Sequence, residues 1–391
     1  MIYAKRLRMV WVFFLLALPG VLYLIMQLRI SYSWVTYPTA DLLEASTSGT
    51  LEVKTKVSVI IAARNEANNI NRCITSLKAQ HYPAELLEII VIDDHSTDQT
   101  WDVIAKYEGD IVRVLRLPDG ITGKKEAIKF GLTVAQGSVI LFTDADCEVP
   151  PRWAKTMVGH LLKEEATMVC GPVSTDPLSA GWLAEFQQID FAGMMAITAV
   201  AIKEEAFVLA NGANLGVSHT FIKSVEIDWD MKHASGDDIT LATHVFNKGG
   251  KVSFVKSTDA LVSTSPCESW KDFINQRIRW GTKNKSTPQR KMLIPLGIAY
   301  STSLLSALFL LMLILSLLGF NHAYPTYFIL PFILKVLGDL MLGGGIYPFF
   351  NLKASPLEVL LYSLIHSVYI AFVGTLSLFV KHYRWKGRKV A

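Results

Sequence analysis

Gly137-Ser138-Val139-Ile140-Leu141-Phe142-Thr143-Asp144-Ala145-Asp146 reads as a short apolar strand that ends abruptly in two aspartates. Such a run, opened by glycine, is the pattern of a strand buried on both faces of a sheet. Carboxylates at the tip of a buried strand call for a positive partner. Spaced by one residue, both can reach one divalent cation, and that cation can hold a diphosphate. The pattern alone is weak, since roughly one Asp-x-Asp arises by chance in a chain of this kind. A second copy, Asp228-Trp229-Asp230, has no apolar strand before it and reads as a surface turn.

Outward from this strand, Val57–Ala62, Leu87–Ile92 and Ile111–Leu115 are further apolar runs of strand length. They alternate with helical patterns, one over about Ala67–Gln80, between roughly Val57 and Trp280. That alternation predicts an α/β domain whose sheet is covered on both faces. Ligands of such sheets bind beyond the C-terminal ends of the strands. The polar clusters fall there: Arg64-Asn65-Glu66 after the first strand, Asp93-Asp94-His95-Ser96-Thr97-Asp98 after the second, Asp144 and Asp146 after the fourth. Asp93-Asp94-His95-Ser96 also suits a capped turn, and that role can coexist with ligand contact. Gly123-Lys124-Lys125 precedes a helix running to about Val134, where backbone N–H groups and a lysine can face phosphate. Asp237 and Asp238 stand before Ile239-Thr240-Leu241, as helix-start acids or as catalytic ones. Ala180–Lys203 is apolar but interrupted by Glu185, Gln187, Gln188 and Asp190. It reads as an amphipathic helix that covers the sheet or borders a channel.

The 391 residues allow one sizeable domain and a membrane part; 51% are hydrophobic and 18% charged. A net charge of +4 with no basic-aromatic segment gives no argument for a nucleic-acid partner. Cys73, Cys147, Cys170 and Cys267 are scattered without CxxC pairing, which fits a reducing compartment and argues against a zinc site. Cys147 reads as a small buried neighbour, since magnesium and manganese prefer oxygen. Met9–Leu28 is an uncharged run of spanning length after Lys5, Arg6 and Arg8, without a small-residue cleavage site, so it reads as a retained anchor. Met292–Leu318, Thr326–Ile346 and Glu358–Val380 are three more spans. Lys335 and Asp339 lie on one face of the middle span, to pair with each other or to line an interior path. Arg277, Arg279, Lys283, Lys285, Arg290 and Lys291 crowd the entry to the second span and place the central domain in the cytoplasm. The basic N-terminus and the basic stretch Lys381–Lys389 ask for the same side. One span before the domain and three after it cannot satisfy all three demands.

The motifs, in order, resemble those of inverting family-2 glycosyltransferases. Ser58-Val59-Ile60-Ile61-Ala62-Ala63-Arg64-Asn65-Glu66 looks like their opening strand and loop. Val91 to Thr100 is similar to their DDxSxDxT strand end, and Asp144-Ala145-Asp146 to their metal-binding DxD. Gly236-Asp237-Asp238 stands where they carry an acidic pair, usually Glu-Asp, with the catalytic base. Gln276-Arg277-Ile278-Arg279-Trp280 is similar to the QxxRW of the membrane-bound branch with cellulose, chitin, hyaluronan and poly-N-acetylglucosamine synthases. The resemblance covers about Lys56–Lys285 and implies a GT-A catalytic domain of α/β fold, with α-helical transmembrane segments at both ends. The expected division is an anchor over 1–30, a linker over 31–55 and the catalytic domain over 56–268. An amphipathic interface helix over 269–291, three helices over 292–380 and a basic tail over 381–391 complete it. The resemblance further implies a nucleotide-sugar donor, UDP-linked as a first expectation, with Mg²⁺ or Mn²⁺ at Asp144 and Asp146, Asp146 being the direct ligand. Ala62, Arg64, Glu66, Asp93 and Asp94 would contact the nucleotide, and Lys124 the phosphate. Asp238, beside Asp237, would be the base; Gln276, Arg279 and Trp280 would meet the diphosphate and the acceptor sugar. Arg277 is expected only to anchor the helix. The partners implied are the bilayer of a bacterial inner membrane, a polysaccharide or lipid acceptor, and accessory subunits or a second copy. A non-catalytic nucleotide-sugar-binding subunit is the alternative of another class.

Overall fold

The computed structural model describes residues 2–40, 54–176, 181–224, 237–283, 289–320, 328–380, 383–385 and 388–390. Asp228, Asp230, Gly236, Lys285 and part of the 31–55 linker lie outside the described residues, as do the side chains of the basic tail. Packing divides the chain into two compact units, Tyr37–Glu268 with His382–Ala391, and Met1–Thr36 with Ser269–Lys381.

The chain opens on α1 (Ile2–Val35) and then enters the α/β unit. There β1 (Val57–Ala63), α2 (Ile70–Lys78), β2 (Leu87–Asp93), α3 (Thr100–Ile104), β3 (Val112–Arg116), α4 (Lys124–Val134) and β4 (Val139–Phe142) alternate. Next come β5 (Cys147–Glu148), α5 (Trp153–Lys163), β6 (Met168–Cys170), β7 (Val173–Thr175), α6 (Trp182–Lys203) and β8 (Leu215–Ser218). The unit ends with α7 (His219–Ser224), α8 (Asp237–Asn247), β9 (Val252–Phe254) and β10 (Val262–Thr264). The main sheet has the order β3-β2-β1-β4-β8-β6-β9, and a small one the order β5-β10-β7. β1 pairs in parallel with β2 and β4, so their C-terminal ends share one edge. Three of the strands read from apolar runs are buried as expected, with every residue of β2 and β4 and all but Ala62 of β1 inside; β3, at the sheet edge, buries only Val112. Helix α2 buries Ile70, Cys73, Ile74 and Leu77, the i, i+3, i+4, i+7 stripe of an amphipathic helix. Gly131 lets α4 lie close on the sheet, because a Cβ there would stand 2.8 Å from Ile60 Cγ2.

The sheet is mixed, since β8 runs antiparallel between β4 and β6. One expectation, on the helix that covers the sheet, changes in detail. Helix α6 packs on β7 and β9 as a cover. Its buried residues, however, include the unbroken run Thr198–Ile202, so it is enclosed around its circumference there and is not a simple amphipathic helix.

The helical unit joins α1 to α9 (Trp270–Lys283), α10 (Arg290–Leu317), α11 (Ile329–Ile346) and α12 (Pro356–Phe379). Among the described residues, four of its helices are long and apolar enough to cross a membrane, namely Phe13–Val35 within α1, α10, α11 and α12. The first apolar span lies within α1. The helix continues to Val35, where Trp34 stacks against Phe350. Lys335 and Asp339 do pair, Nζ donating to Oδ2 at 2.6 Å, with Tyr23 of α1 and Ser363 of α12 donating to the same carboxylate.

Candidate active site

The site is built where β1, β2 and β4 end. Beyond β4 the chain turns, the Cys147 N–H donating to the Asp144 carbonyl at 3.1 Å; Ala145 is buried while Asp144 and Asp146 are partly exposed. Lys124, the first residue of α4, donates from Nζ to Asp144 Oδ1 at 2.5 Å. Gly123, at φ +114°, turns the chain into that helix in a conformation that side chains with Cβ rarely adopt. Its N–H donates to Asp94 Oδ1 at 3.0 Å. A lysine and a helix N-terminus therefore stand beside the aspartate pair, the surroundings a diphosphate needs.

The loops after β1 and β2 are laced together. Asn65 N donates to Ser96 Oγ (3.0 Å), Thr97 N to Asn65 Oδ1 (2.8 Å), Glu66 N to Thr100 Oγ1 (2.7 Å) and Ala67 N to Asp98 Oδ2 (3.2 Å). Burial works against the charge of Asp98, but bonds from Thr100 and Ala67 outweigh it and hold its carboxyl below the usual range. Arg64 reaches across to the carbonyls of Asp94 and His95. Asp93 is fully buried; it accepts from Arg116 Nε at 2.9 Å and from Ser96 N at 3.2 Å. The Arg116 guanidinium lies 4.1 Å over the Trp101 ring. Asp94 is 1% exposed, Glu66 accepts from Asn69 at 2.9 Å, and Ala62 lies level with Ile92 on β2. The structure thus brings Ala62, Arg64, Glu66, Asp93, Asp94, Lys124, Asp144 and Asp146 to one edge. It commits much of the Asp93 and Asp94 carboxylates to holding that edge. Arg116 and Trp101 escape sequence reading because they come from β3 and α3 and meet Asp93 only in the fold.

Asp238 lies at the start of α8 and accepts from Gly212 N at 3.1 Å and from its neighbour Ile239 N at 2.8 Å. Asp237 opens the same helix; its side chain lies outside the described residues. Burial, and then the nearby Asp238 carboxylate, push the Cys170 thiol at the end of β6 up to about 12. Strands β4 and β6 flank β8, both antiparallel to it, and Phe142 and Cys170 both pair with Leu215. Phe142 and Cys170 therefore stand at the same edge, about 10 Å apart at two strand spacings. Asp144 follows the first, and Asp238 lies near the second.

Two carboxylates supply only hard oxygen donors, which suits Mg²⁺ or Mn²⁺. Among the described residues no group of three or more His, Cys, Asp and Glu gathers to hold a metal, so such an ion needs substrate oxygens to complete its shell. Burial, and then the Asp146 and Asp144 charges, push the Cys147 thiol up, and its Sγ donates to Asp146 Oδ1 at 3.6 Å.

Gln276, Arg279 and Trp280 lie partly exposed on α9 of the helical unit. Arg277 is not on an exposed cationic face. It is 3% exposed, its guanidinium 4.6 Å from the Phe273 ring and 4.1 Å from Trp280, and it donates to Gln276 Oε1 at 2.8 Å.

The sequence profile of Glycosyl transferase family 2 matches residues 58–212, and that of Glycosyl transferase family group 2 matches residues 139–338. The chain is a family-2 glycosyltransferase. Residues of this transferase are 29% identical over 238 positions to Probable glycosyltransferase YdaM of Bacillus subtilis, covering 59% of this chain and 55% of that protein. The chain thus matches about half the length of that relative. Glycosyltransferase AglE of Haloferax volcanii is 24% identical over 227 residues, with 58% of this chain and 71% of that protein covered. In three dimensions the glycosyltransferase is similar to the mannosyltransferase PcManGT of Pyrobaculum calidifontis, solved in complex with GDP-Man and Mn²⁺. The TM-score is 0.56 and the identity 16%, over 95% of this chain and 99% of that one.

Proposed function

We propose that this glycosyltransferase moves a sugar from a nucleoside diphosphate donor to a hydroxyl of a membrane-associated acceptor, with inversion at the anomeric carbon. Asp144 and Asp146 would hold Mg²⁺ or Mn²⁺, which supplies charge stabilisation for the departing diphosphate. Lys124 and the α4 N-terminus lie on the phosphate side; Ala62, Arg64, Glu66, Asp93 and Asp94 form and support the nucleoside pocket. Asp238, with Asp237 beside it, takes the proton of the incoming hydroxyl as that oxygen attacks from the face opposite the leaving diphosphate. Gln276, Arg279 and Trp280 serve diphosphate and acceptor, with the guanidinium suited to phosphate and the indole to a pyranose face. The observation that carries this reading is the placement of Lys124, Asp144 and Asp238 along one sheet edge. UDP is the proposed nucleotide by resemblance, and the PcManGT complex with GDP-Man makes GDP the donor to screen beside it. The acceptor is a growing polysaccharide or a lipid, reached from a catalytic domain on the cytoplasmic face of a bacterial inner membrane.

The test is nucleoside diphosphate release by purified protein in native lipid extract, with UDP- and GDP-sugars and Mg²⁺ or Mn²⁺. One donor should support lipid-dependent release, and Asp238→Asn should lower the rate 10²–10⁴-fold, roughly the worth of a general base. Product size then separates polymer from glycolipid. Undiminished turnover in Asp238→Asn would remove the base assignment, and release with chelator present would remove the metal.

A further inference from the structure

One arginine outside the substrate-facing set ties the aspartate pair to the small sheet. Arg72, on α2, reaches four acceptors. Its NH1 donates to Asp176 Oδ2 at 2.8 Å, and its NH2 to Ser265 Oγ at 3.1 Å and to the Asp146 carbonyl at 3.4 Å. Its Nε stands 3.6 Å from Glu148 Oε2. Three of the four belong to one row of the fold. Thr264 pairs with Cys147 on one side and with Thr175 on the other, so Asp146, Ser265 and Asp176 are the next positions of β5, β10 and β7 at the same end. The adjoining residue on α2 continues the pattern, Cys73 Sγ donating to the Asp144 carbonyl at 3.5 Å. Burial, then the Asp146 and Asp144 charges, push the Cys73 thiol up, which keeps it a donor. Consecutive residues of one helix thus each hold the backbone of one aspartate of the pair.

We propose that Arg72 is a positioning residue for the divalent cation, setting where the Asp146 carboxylate stands by clamping its backbone to β7 and β10. This rests on the reading that Asp144 and Asp146 hold the ion. Arg72 does not contact the ion or the donor, because its charge is matched by Asp176 and Glu148. A planar fork with five N–H donors can serve several acceptors at fixed angles, whereas an ammonium serves as a point charge. Outer contacts of this kind, when removed, cost about 10- to 100-fold in metal affinity.

The experiment is a Mn²⁺ titration by electron paramagnetic resonance on the full chain in nanodiscs, alone and with UDP or GDP. It compares wild type, Arg72→Gln, Arg72→Lys and Asp146→Asn. Arg72→Gln should weaken Mn²⁺ binding by about tenfold or more, and Arg72→Lys by less. In turnover, the Mn²⁺ concentration for half-maximal rate should rise in the same order, with kcat at saturating Mn²⁺ kept within a few-fold. If Asp146→Asn loses Mn²⁺ while both Arg72 variants bind as wild type does, the positioning role is wrong and the metal site stands. If Asp146→Asn also binds as wild type does, the metal reading itself fails, and the Arg72 inference with it. Should Arg72→Gln not fold, Arg72→Lys alone decides, since unchanged affinity there with lost kcat would also overturn the proposal.

Discussion

The Asp93 carboxylate shows what a motif residue does in this fold. It is fully buried, and its charge is matched by Arg116, which is itself held over Trp101. Removing that guanidinium leaves a buried charged acceptor one partner short, a loss of about 1–3 kcal/mol. Arg116→Ala should therefore lower thermal stability and weaken nucleotide binding together, whereas Lys106→Ala, away from that pair, should do neither. Melting curves with and without nucleotide check this, and an unchanged melting temperature in Arg116→Ala would refute it. The identities of Asp93, Ser96, Asp98 and Thr100 were legible as a motif. Their division of labour was not: Ser96, Asp98 and Thr100 bind the backbone of 65–67, a contact between two loops about thirty residues apart. Arg277 shows the reverse case. Its charge suggests an exposed place, but two aromatic rings at i−4 and i+3 enclose it.

At the scale of elements, β1, β2 and β4 were readable because each is an apolar run long enough to mark a doubly buried strand. The strands β6, β7, β9 and β10 are three residues each, and their pairing comes from the sheet and not from their own pattern. Helix α5 joins this less legible half to the core through His160. Its Nε2 meets Ser253 Oγ on β9 at 2.8 Å, and its Nδ1 is buried without a hydrogen-bond partner among the described residues. Burial, opposed by Glu164 and aided by Lys251 and Lys163, lowers its pKa, so the folded state holds the ring neutral. The unfolded chain binds the proton at about pH 6.5, and the folded chain only below that. Stability is thus complete above about pH 6.5 and falls as pH drops from there toward the folded-state pKa. His160→Gln should flatten the fall in melting temperature between pH 7 and 5; an equally steep fall would show that other groups cause it.

At the scale of the molecule, the helical unit has to explain why an N-terminal helix belongs with three C-terminal ones. Lys335, fully buried, pairs with Asp339 of its own helix, and Tyr23 and Ser363 bring α1 and α12 to the same carboxylate; Lys335 also lies 3.3 Å from His366 Nδ1. A buried pair is costly to break on one side, about 3–5 kcal/mol, but replacing both partners by apolar residues is often neutral. Lys335→Met or Asp339→Leu alone should lower the melting temperature in detergent and reduce membrane yield, and the double variant should recover most of the loss. Equal or additive loss in the double variant would mean that the pair does more than hold helices. The same four helices constrain topology. One precedes the catalytic domain and three follow it, so a cytoplasmic domain sends residues 5–8 to the opposite face, against the pull of their basic residues. Residues 382–391 group with the catalytic unit, which requires that one of the later helices does not cross. The cluster from Arg277 to Lys291 is the larger and lies nearest a span, and nucleotide sugars are made in the cytoplasm, so it should prevail. A cysteine placed at Tyr3, in a background where native thiols are blocked, should react with an impermeant maleimide from outside intact cells, and one placed at Lys106 should not; one placed at Tyr383 reports whether all three later helices cross. Protection of Tyr383 with labelling of Tyr3 would mean that one of the three later helices does not cross. The helix to suspect would then be α11, which at 18 residues is the shortest and carries the ion pair.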